Sequence, residues 1–275
     1  MRNLEKNISF DWQMKRHITL NTKECVLIKP LVNSENWFQS LTRVSGRPLH
    51  HLTVVGRKAK SAIRLNQQAL LIVADRKVAF TCHLPFYMAA INLDLLCSHL
   101  AFTDASMTNT QLKKTVPEKK KLPAVISTDI PQLALKNFQT LEQWLSLIVL
   151  KQNNQISDLL QFLRSKEIYQ FVQFLMAVDV QTLNLEQLAK QYGLSYSQFC
   201  KLGKRAFSMP IRNRLNEWRA AKSILSLIEN DNNILEVALE NGYSSASHIS
   251  SDIKRTFGVS PSVFNKTSLF RDKKK

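Results

Sequence analysis

Two segments 49 residues apart obey one local grammar. In the first, Asn184 precedes Leu185, Leu188 and Ala189; Gly193 follows, then Ser195, then Phe199 and Leu202. In the second, Asn233 precedes Ile234, Val237 and Ala238; Gly242 follows, then Ser245, then Ile249, Ile253 and Phe257. Asn and Ser side chains accept hydrogen bonds from the unpaired amides that open a helix. A small Ala lets a second helix approach closely, and Gly supplies the left-handed backbone of a tight turn. Ala189 to Gly193 and Ala238 to Gly242 are both four residues. Recurrence at one period is a stronger signal than either copy alone. The spacing predicts two helix-turn-helix units.

Between them lies IRNRLNEWRAAKSILSLI, residues 211–228, with Ile211, Leu215, Trp218, Ala221, Leu225 and Ile228 at helical spacing. A helix of that length is a rod of roughly 27 Å that fixes the separation of the two units. Trp218 belongs to its core face. The second helix of the first unit leaves Tyr196, Ser197, Gln198, Cys200, Lys201 and Lys204 facing outward. The second helix of the second unit leaves Ser247, His248, Ser251, Lys254 and Arg255.

The rest of the chain reads differently. Residues 1–102 carry short runs rich in Val, Ile, Leu and Phe: ECVLIKPLV, HLTVVG, KSAIRL, ALLIVA, KVAFTCHL and FYMAAINL. These predict strands of an antiparallel sandwich or barrel. Residues 103–131, with three prolines and lysine clusters at Lys113-Lys114 and Lys119–Lys121, predict a solvated linker. Residues 132–179 turn helical: Leu133, Leu141, Leu145 and Val149, then Leu159, Phe162 and Leu163, then Ile168, Phe171 and Leu175, recur at helical spacing. They form a connector with a dimerisation or partner surface. The expected fold class is α+β, a β-rich N-terminal domain followed by an all-α domain over 180–268 in which a linker helix joins two helix-turn-helix units.

Charge points to the partner. Lys and Arg number 38 against 21 Asp and Glu, a formal +17. Residues 1–125 hold 19 basic and 8 acidic residues, 126–179 hold 4 and 5, and 180–275 hold 15 and 8. Two basic ends flank a near-neutral middle, which favours a polyanionic partner. No uncharged apolar stretch suits a membrane span, and the opening residues lack the apolar core of a secretory signal, so no membrane partner is expected. Cys25, Cys82, Cys97 and Cys200 form no C-x-x-C pair, which fits a reducing cytoplasm. Cys82-His83 and Cys97-x-His99 match no zinc spacing. Six glycines form no phosphate-cradling loop, and no nucleophile–base pattern stands out. No cofactor, metal or enzyme activity is expected.

The stretch Leu185–Phe264 resembles the DNA-binding domain of AraC/XylS-type transcription regulators. The second unit carries the resemblance most clearly, in Ile234, Val237-Ala238, Gly242-Tyr243, Ser245, Ser250, Ile253-Lys254-Arg255, Phe257-Gly258, Ser260-Pro261 and Phe264. QYGLSYSQF, NEWRAAKSILS and NGYSSASHISSDIKRTFGVSP are similar to the InvF/MxiE branch, activators of type III secretion and invasion genes. The resemblance implies major-groove insertion of both second helices into double-stranded promoter DNA. It implies RNA polymerase as partner of an activator, a secretion chaperone as coactivator, and a cytoplasmic, nucleoid-bound location; a homodimer is compatible with it. Ser197, Gln198, Lys201, Ser247, His248 and Ser251 are the candidates for base contact. Lys204, Arg205, Arg212, Arg214, Lys254 and Arg255 are those for phosphate. Ala189, Gly193, Phe199, Trp218, Ala238, Gly242, Phe257, Gly258 and Pro261 hold the scaffold.

The chain departs from the family pattern in places. Gly203 stands where a large apolar residue is usual and weakens its helix by up to ~1 kcal/mol. Ser208 replaces a C-capping Gly, Ser223 an Ala, and Ile249 a Phe or Leu. Ser251 stands where Arg is common, which turns the second unit toward phosphate contacts. Two other readings stay open: a regulator acting through a chaperone partner with weak intrinsic DNA binding, and a small-molecule-gated regulator.

Overall fold

A computed structural model describes residues 9–22, 24–30, 51–55, 60–64, 69–107, 122–151, 154–178, 184–229 and 233–265. The chain divides into two compact units, residues 1–172 and 173–275.

The first unit is built on one seven-stranded antiparallel sheet: β1 (Gln13–Leu20), β2 (Cys25–Pro30), β3 (His51–Val55), β4 (Lys60–Arg64), β5 (Ala69–Ala74), β6 (Val78–Ile91) and β7 (Val125–Ile130). The order is β4-β3-β6-β2-β5-β7, with β1 on the other edge of β6. KVAFTCHL and FYMAAINL, read from sequence as two runs, are the single strand β6. It exchanges neighbours along its length. Thr81 is opposite both His17 of β1 and Thr53 of β3, whereas Met88 is opposite Gln13 of β1 and Ile28 of β2. The β1 register slips between Lys15, opposite Phe86, and His17, opposite Thr81. Pro85, which has no amide hydrogen to give a ladder, lies in the skipped stretch of β6.

The pleat sends Ile18, Leu20, Val26, Ile28, Leu70, Ile72, Phe80 and Phe86 into one buried cluster. Cys25, Leu27, Leu71 and Val73, of opposite parity, are buried too. A strand buried on both faces loses alternation, which is why ALLIVA reads as a continuous apolar run. Burial pushes the Cys25 and Cys97 thiols well above their ordinary range, so neither is a nucleophile at neutral pH.

Two elements depart from the sequence expectation. Helix α1 (Leu93–Ser106) falls at the end of the predicted β-rich stretch. Asn92 caps it, accepting from the Leu95 amide at 3.2 Å. Strand β7 falls inside the predicted linker and pairs with β5, Ala69 opposite Ile130 and Ala74 opposite Val125. VISTDI alternates cleanly, with Ile126, Thr128 and Ile130 buried, but the Lys and Pro before it dominate the local composition. The lysine clusters at 113–121 lie outside the described residues.

Helices α2 (Phe138–Leu150), α3 (Ser157–Arg164) and α4 (Glu167–Ala177) follow. Leu141, Leu145 and Val149 are buried as the spacing predicts. Leu133 is not: it sits in a short 3-10 turn before α2, off the stripe, and is 77% exposed. Asp104 of α1 is buried and accepts two bonds of 2.8 Å from Arg164 and one of 2.7 Å from the Tyr169 hydroxyl, tying α1 to α3 and α4. His99 is engaged within this unit, its Nε2 lying 2.7 Å from the Ser146 hydroxyl and its Nδ1 3.5 Å from Glu142. A cavity of about 890 Å³ opens between β1, β2, the end of β6 and the start of α1, with His17, Glu24, Met88 and Asp94 on its wall.

The second unit holds α5 (Leu185–Tyr192), α6 (Tyr196–Phe207), α7 (Ile211–Glu229), α8 (Ile234–Glu240), α9 (Ala246–Phe257) and α10 (Ser262–Asn265). Among the described residues, no helix is long and apolar enough to cross a membrane.

Candidate nucleic-acid interface

Each helix-turn-helix unit is held by the caps that its sequence announces. Asn184 accepts from the Gln187 amide at 2.8 Å while the Gln187 carboxamide accepts from the Asn184 amide at 2.9 Å. This capping box satisfies two otherwise unpaired donors. Gly193 turns the chain at φ 82°, the left-handed region in which a β-carbon is penalised. Ser195 opens α6, again in a capping box, with Gln198. Leu188, Ala189, Phe199 and Leu202 are buried between the two helices. Tyr192 packs between Phe174 and Phe199, with ring centres 4.9 and 6.3 Å away.

The second unit repeats this construction. Asn233 and Glu236 form the capping box, Gly242 turns at φ 71°, and Ser245 accepts from the His248 amide at 3.1 Å. Val237, Ala238, Ile249 and Ile253 share one core with Ala220, Ile224, Leu227 and Tyr243. Gly258 ends α9 at φ 78°, and Phe264 beyond it packs against that core.

The two copies are not strictly periodic. Glycine to glycine the offset is 49 residues, but cap to cap, Ser195 to Ser245, it is 50. The second turn carries one more residue, and the buried pair Phe199 and Ile249 confirms the later offset. Aligned by caps, Ser197 matches Ser247, Gln198 matches His248, Lys201 matches Ser251, Lys204-Arg205 matches Lys254-Arg255, and Gly203 matches Ile253.

Gly203 has a packing reason. A β-carbon there would lie 2.6 Å from the Ile211 β-carbon, so α7 begins against the bare backbone of α6. Ser208 adopts φ 54°, the one non-glycine positive φ among the described residues, at the cap where glycine is usual. Ser223 is buried and its hydroxyl donates to the Arg219 carbonyl at 2.9 Å, which accounts for its tolerance in place of alanine.

The apolar face of α7 rotates along its length. Ile211 and Leu215 are buried as predicted and Trp218 packs edge-on to Phe207 at 5.6 Å. Further on, Ala220, Ser223, Ile224 and Leu227 are buried instead, and Leu225 and Ile228 are 55% and 43% exposed. One stripe cannot serve two units placed at different azimuths around the same helix, and the sequence spacing alone follows only the first. Phe257, expected as a core anchor of α9, is 44% exposed. It is the last residue before the left-handed Gly258, one turn beyond Ile253, the last buried residue of α9.

All six candidate base-contacting residues, Ser197, Gln198, Lys201, Ser247, His248 and Ser251, are exposed on their helices. Lys204, Arg205, Arg212, Lys254 and Arg255 are exposed as well. Arg214 differs from the phosphate-facing expectation: its guanidinium is half-buried over the Phe207 ring and bonded to Glu217 at 3.1 Å. An arginine held in this way braces α7 against α6 rather than reaching outward. Arg255 is bonded to Asp252 yet its side chain stays mostly exposed. The His248 ring stands edge-on to Tyr243 at 5.2 Å, with Nδ1 3.3 Å from the Ser244 hydroxyl.

A helix-turn-helix domain model matches residues 188–267. The invasion protein InvF of Salmonella typhimurium is 29% identical over 210 residues, 76% of this chain and 94% of that one. The transcriptional regulator MxiE of Shigella flexneri is 27% identical over 122 residues, 44% of this chain and 58% of that one. Among solved structures, ToxT from Vibrio cholerae is 10% identical with a TM-score of 0.37, over 94% of this chain and 98% of that one. Residues 188–267 are thus a helix-turn-helix domain by both their matched model and their two capped units. The chain is a homologue of InvF and MxiE.

Proposed function

We propose that this protein is a sequence-specific activator of type III secretion genes that reads double-stranded promoter DNA in the major groove with both α6 and α9. One observation carries the reading. Two capped helix-turn-helix units sit at the two ends of one 19-residue helix, and each presents an exposed Lys-Arg pair at the same helix position, Lys204-Arg205 and Lys254-Arg255. A 19-residue helix is a rod of about 28 Å, and successive turns of the major groove lie about 34 Å apart. Exposed lysines and arginines at equivalent positions suit phosphates that recur once per turn.

The likeness to InvF, named an invasion protein, supports secretion and invasion genes as targets. On this reading the protein works in the bacterial cytoplasm, RNA polymerase is the partner that activation requires, and a secretion chaperone is the coactivator. The first unit and the connector helices receive that partner or a second copy of the chain. A single chain holds two recognition helices, so DNA binding does not require a dimer.

Crosslinked occupancy of the tagged protein across its host genome tests the reading. Discrete peaks upstream of a secretion-gene cluster are expected. Diffuse, salt-sensitive background alone would contradict it, because non-specific affinity comes from charge. A second reading, gating by a small molecule, is favoured by the cavity of about 890 Å³ in the first unit. It predicts that a bound metabolite raises the melting temperature of the full chain.

A further inference from the structure

We propose that sequence discrimination is concentrated in α6, which reads guanine through hydrogen-bond donors, while α9 holds the DNA with little preference for base. The proposal rests on the activator reading above and names the base that its first recognition helix selects.

The capping box decides what Gln198 can offer. Its Oε1 accepts from the Ser195 amide at 3.2 Å and from the Ser195 hydroxyl at 2.9 Å. A carboxamide oxygen has two lone pairs, and both are engaged. The outward chemistry of Gln198 is then its Nε2–H donors. Glutamine pairs with adenine by giving from nitrogen to N7 while accepting at oxygen from N6–H. Held in its cap, Gln198 cannot do the second half.

Lys201 lies three residues on, on the same helix face. An ammonium donates and never accepts. The two longest polar side chains among the three candidate base-contacting residues of α6 are therefore both donors. In the major groove guanine offers two adjacent acceptors, N7 and O6. Adenine and cytosine each expose a donor there, and thymine exposes one acceptor beside a methyl group. A donor-only face fits guanine best. The Ser197 hydroxyl gives or accepts and adds no restriction.

The cap-aligned positions of α9 offer less of this chemistry, a single ring N–H at most from a neutral histidine and a short hydroxyl. Ser251 replaces Lys201 with a hydroxyl on a one-carbon stem. Ser250 donates to the Ala246 carbonyl at 2.7 Å. His248 replaces Gln198 with a ring already set against Tyr243 and Ser244. What the two helices share is Lys204-Arg205 and Lys254-Arg255, the pair suited to phosphate.

The test uses the full chain and a pool of random-sequence DNA duplexes. Selection is expected to return a site with invariant guanines in one half and a degenerate other half. Replacing such a guanine by 7-deazaguanine, which lacks N7, is expected to weaken binding about tenfold in the wild type and much less in Lys201→Ala. Inosine keeps N7 and O6 and is expected to bind within about twofold of guanine. Ser251→Ala should leave the selected sequence unchanged, and Lys254→Ala should weaken selected and scrambled duplexes alike. Two results would overturn the proposal alone: a selected site without invariant guanines, or a 7-deazaguanine loss undiminished in Lys201→Ala. A pool that yields no enriched sequence would overturn the activator reading with it.

Discussion

The two helix-turn-helix units share caps, turns and a Lys-Arg pair, yet they differ where the first meets its neighbour. At one cap-aligned position the first unit has Gly203 and the second has Ile253. Gly203 admits Ile211 at the start of α7, whereas Ile253 fills its own core and is fully buried. The same fold position is solved by absence in one copy and by bulk in the other. What decides it is which part of α7 lies opposite: its first residue for α6, its later turns for α9. Duplicated architecture therefore fixes the caps and leaves the core residues to the local partner.

Substitutions that exchange the two solutions probe this comparison. Ile253→Ala is expected to cost about 2–5 kcal/mol, because it leaves a cavity in a packed core. Chemical denaturation of the full chain, followed by a probe in the second unit, measures it. Gly203→Ala should cost about 1–3 kcal/mol by overpacking against Ile211, although alanine is the better helix former. If Gly203→Ala stabilises the protein, the close approach of α6 and α7 is wrong.

The helix ends give a smaller pair. Ser208 and Gly258 are cap-aligned, and both are left-handed. Ser208→Gly is expected to stabilise by about 1 kcal/mol and Gly258→Ala to destabilise by a similar amount. No atom lies within 4 Å of a β-carbon built at Gly258, so its cost is one of backbone conformation alone. Equal melting temperatures for wild type and Ser208→Gly would argue against the left-handed serine.

The smallest effect is in pH. Burial, with Asp252 nearby, pushes the Tyr243 hydroxyl up to about 12. In the unfolded chain tyrosine titrates near 10. The native state then holds a proton that the unfolded state has released. Stability from this group is full below about pH 10 and falls as pH rises toward 12. Tyr243→Phe should flatten that decline in urea midpoints measured from pH 9 to 11.

Much of the second unit is legible in sequence because its determinants are local. Asn184, Ser195, Asn233 and Ser245 cap, and Gly193, Gly242 and Gly258 turn, within a few residues of where they act. The rotated face of α7 is not legible, because it depends on where two distant helices pack; hence the misplacement of Leu225 and Ile228. Phe257 fails for a related reason: apolar periodicity says which face a residue is on, not where the core stops. In the first unit, β7 and α1 are hidden by composition, and β6 by the expectation that strands are short. Gly203 is the instructive case. From sequence it is a helix weakened by glycine; in space it is the contact that seats α7. The engagement of Gln198 by Ser195 is foreshadowed by the S-x-x-Q pattern, but its consequence for base pairing emerges only once both lone pairs are seen to be occupied.

The most direct test of the unequal roles of α6 and α9 is a transplant. The double substitution His248→Gln and Ser251→Lys gives α9 the outward chemistry of α6, with Ser245 and Ser247 already in place. Selection from random duplexes with this variant should return a site in which the degenerate half has acquired guanine at the corresponding positions. A selected site identical to that of the wild type would contradict the account, because it would place discrimination outside these side chains.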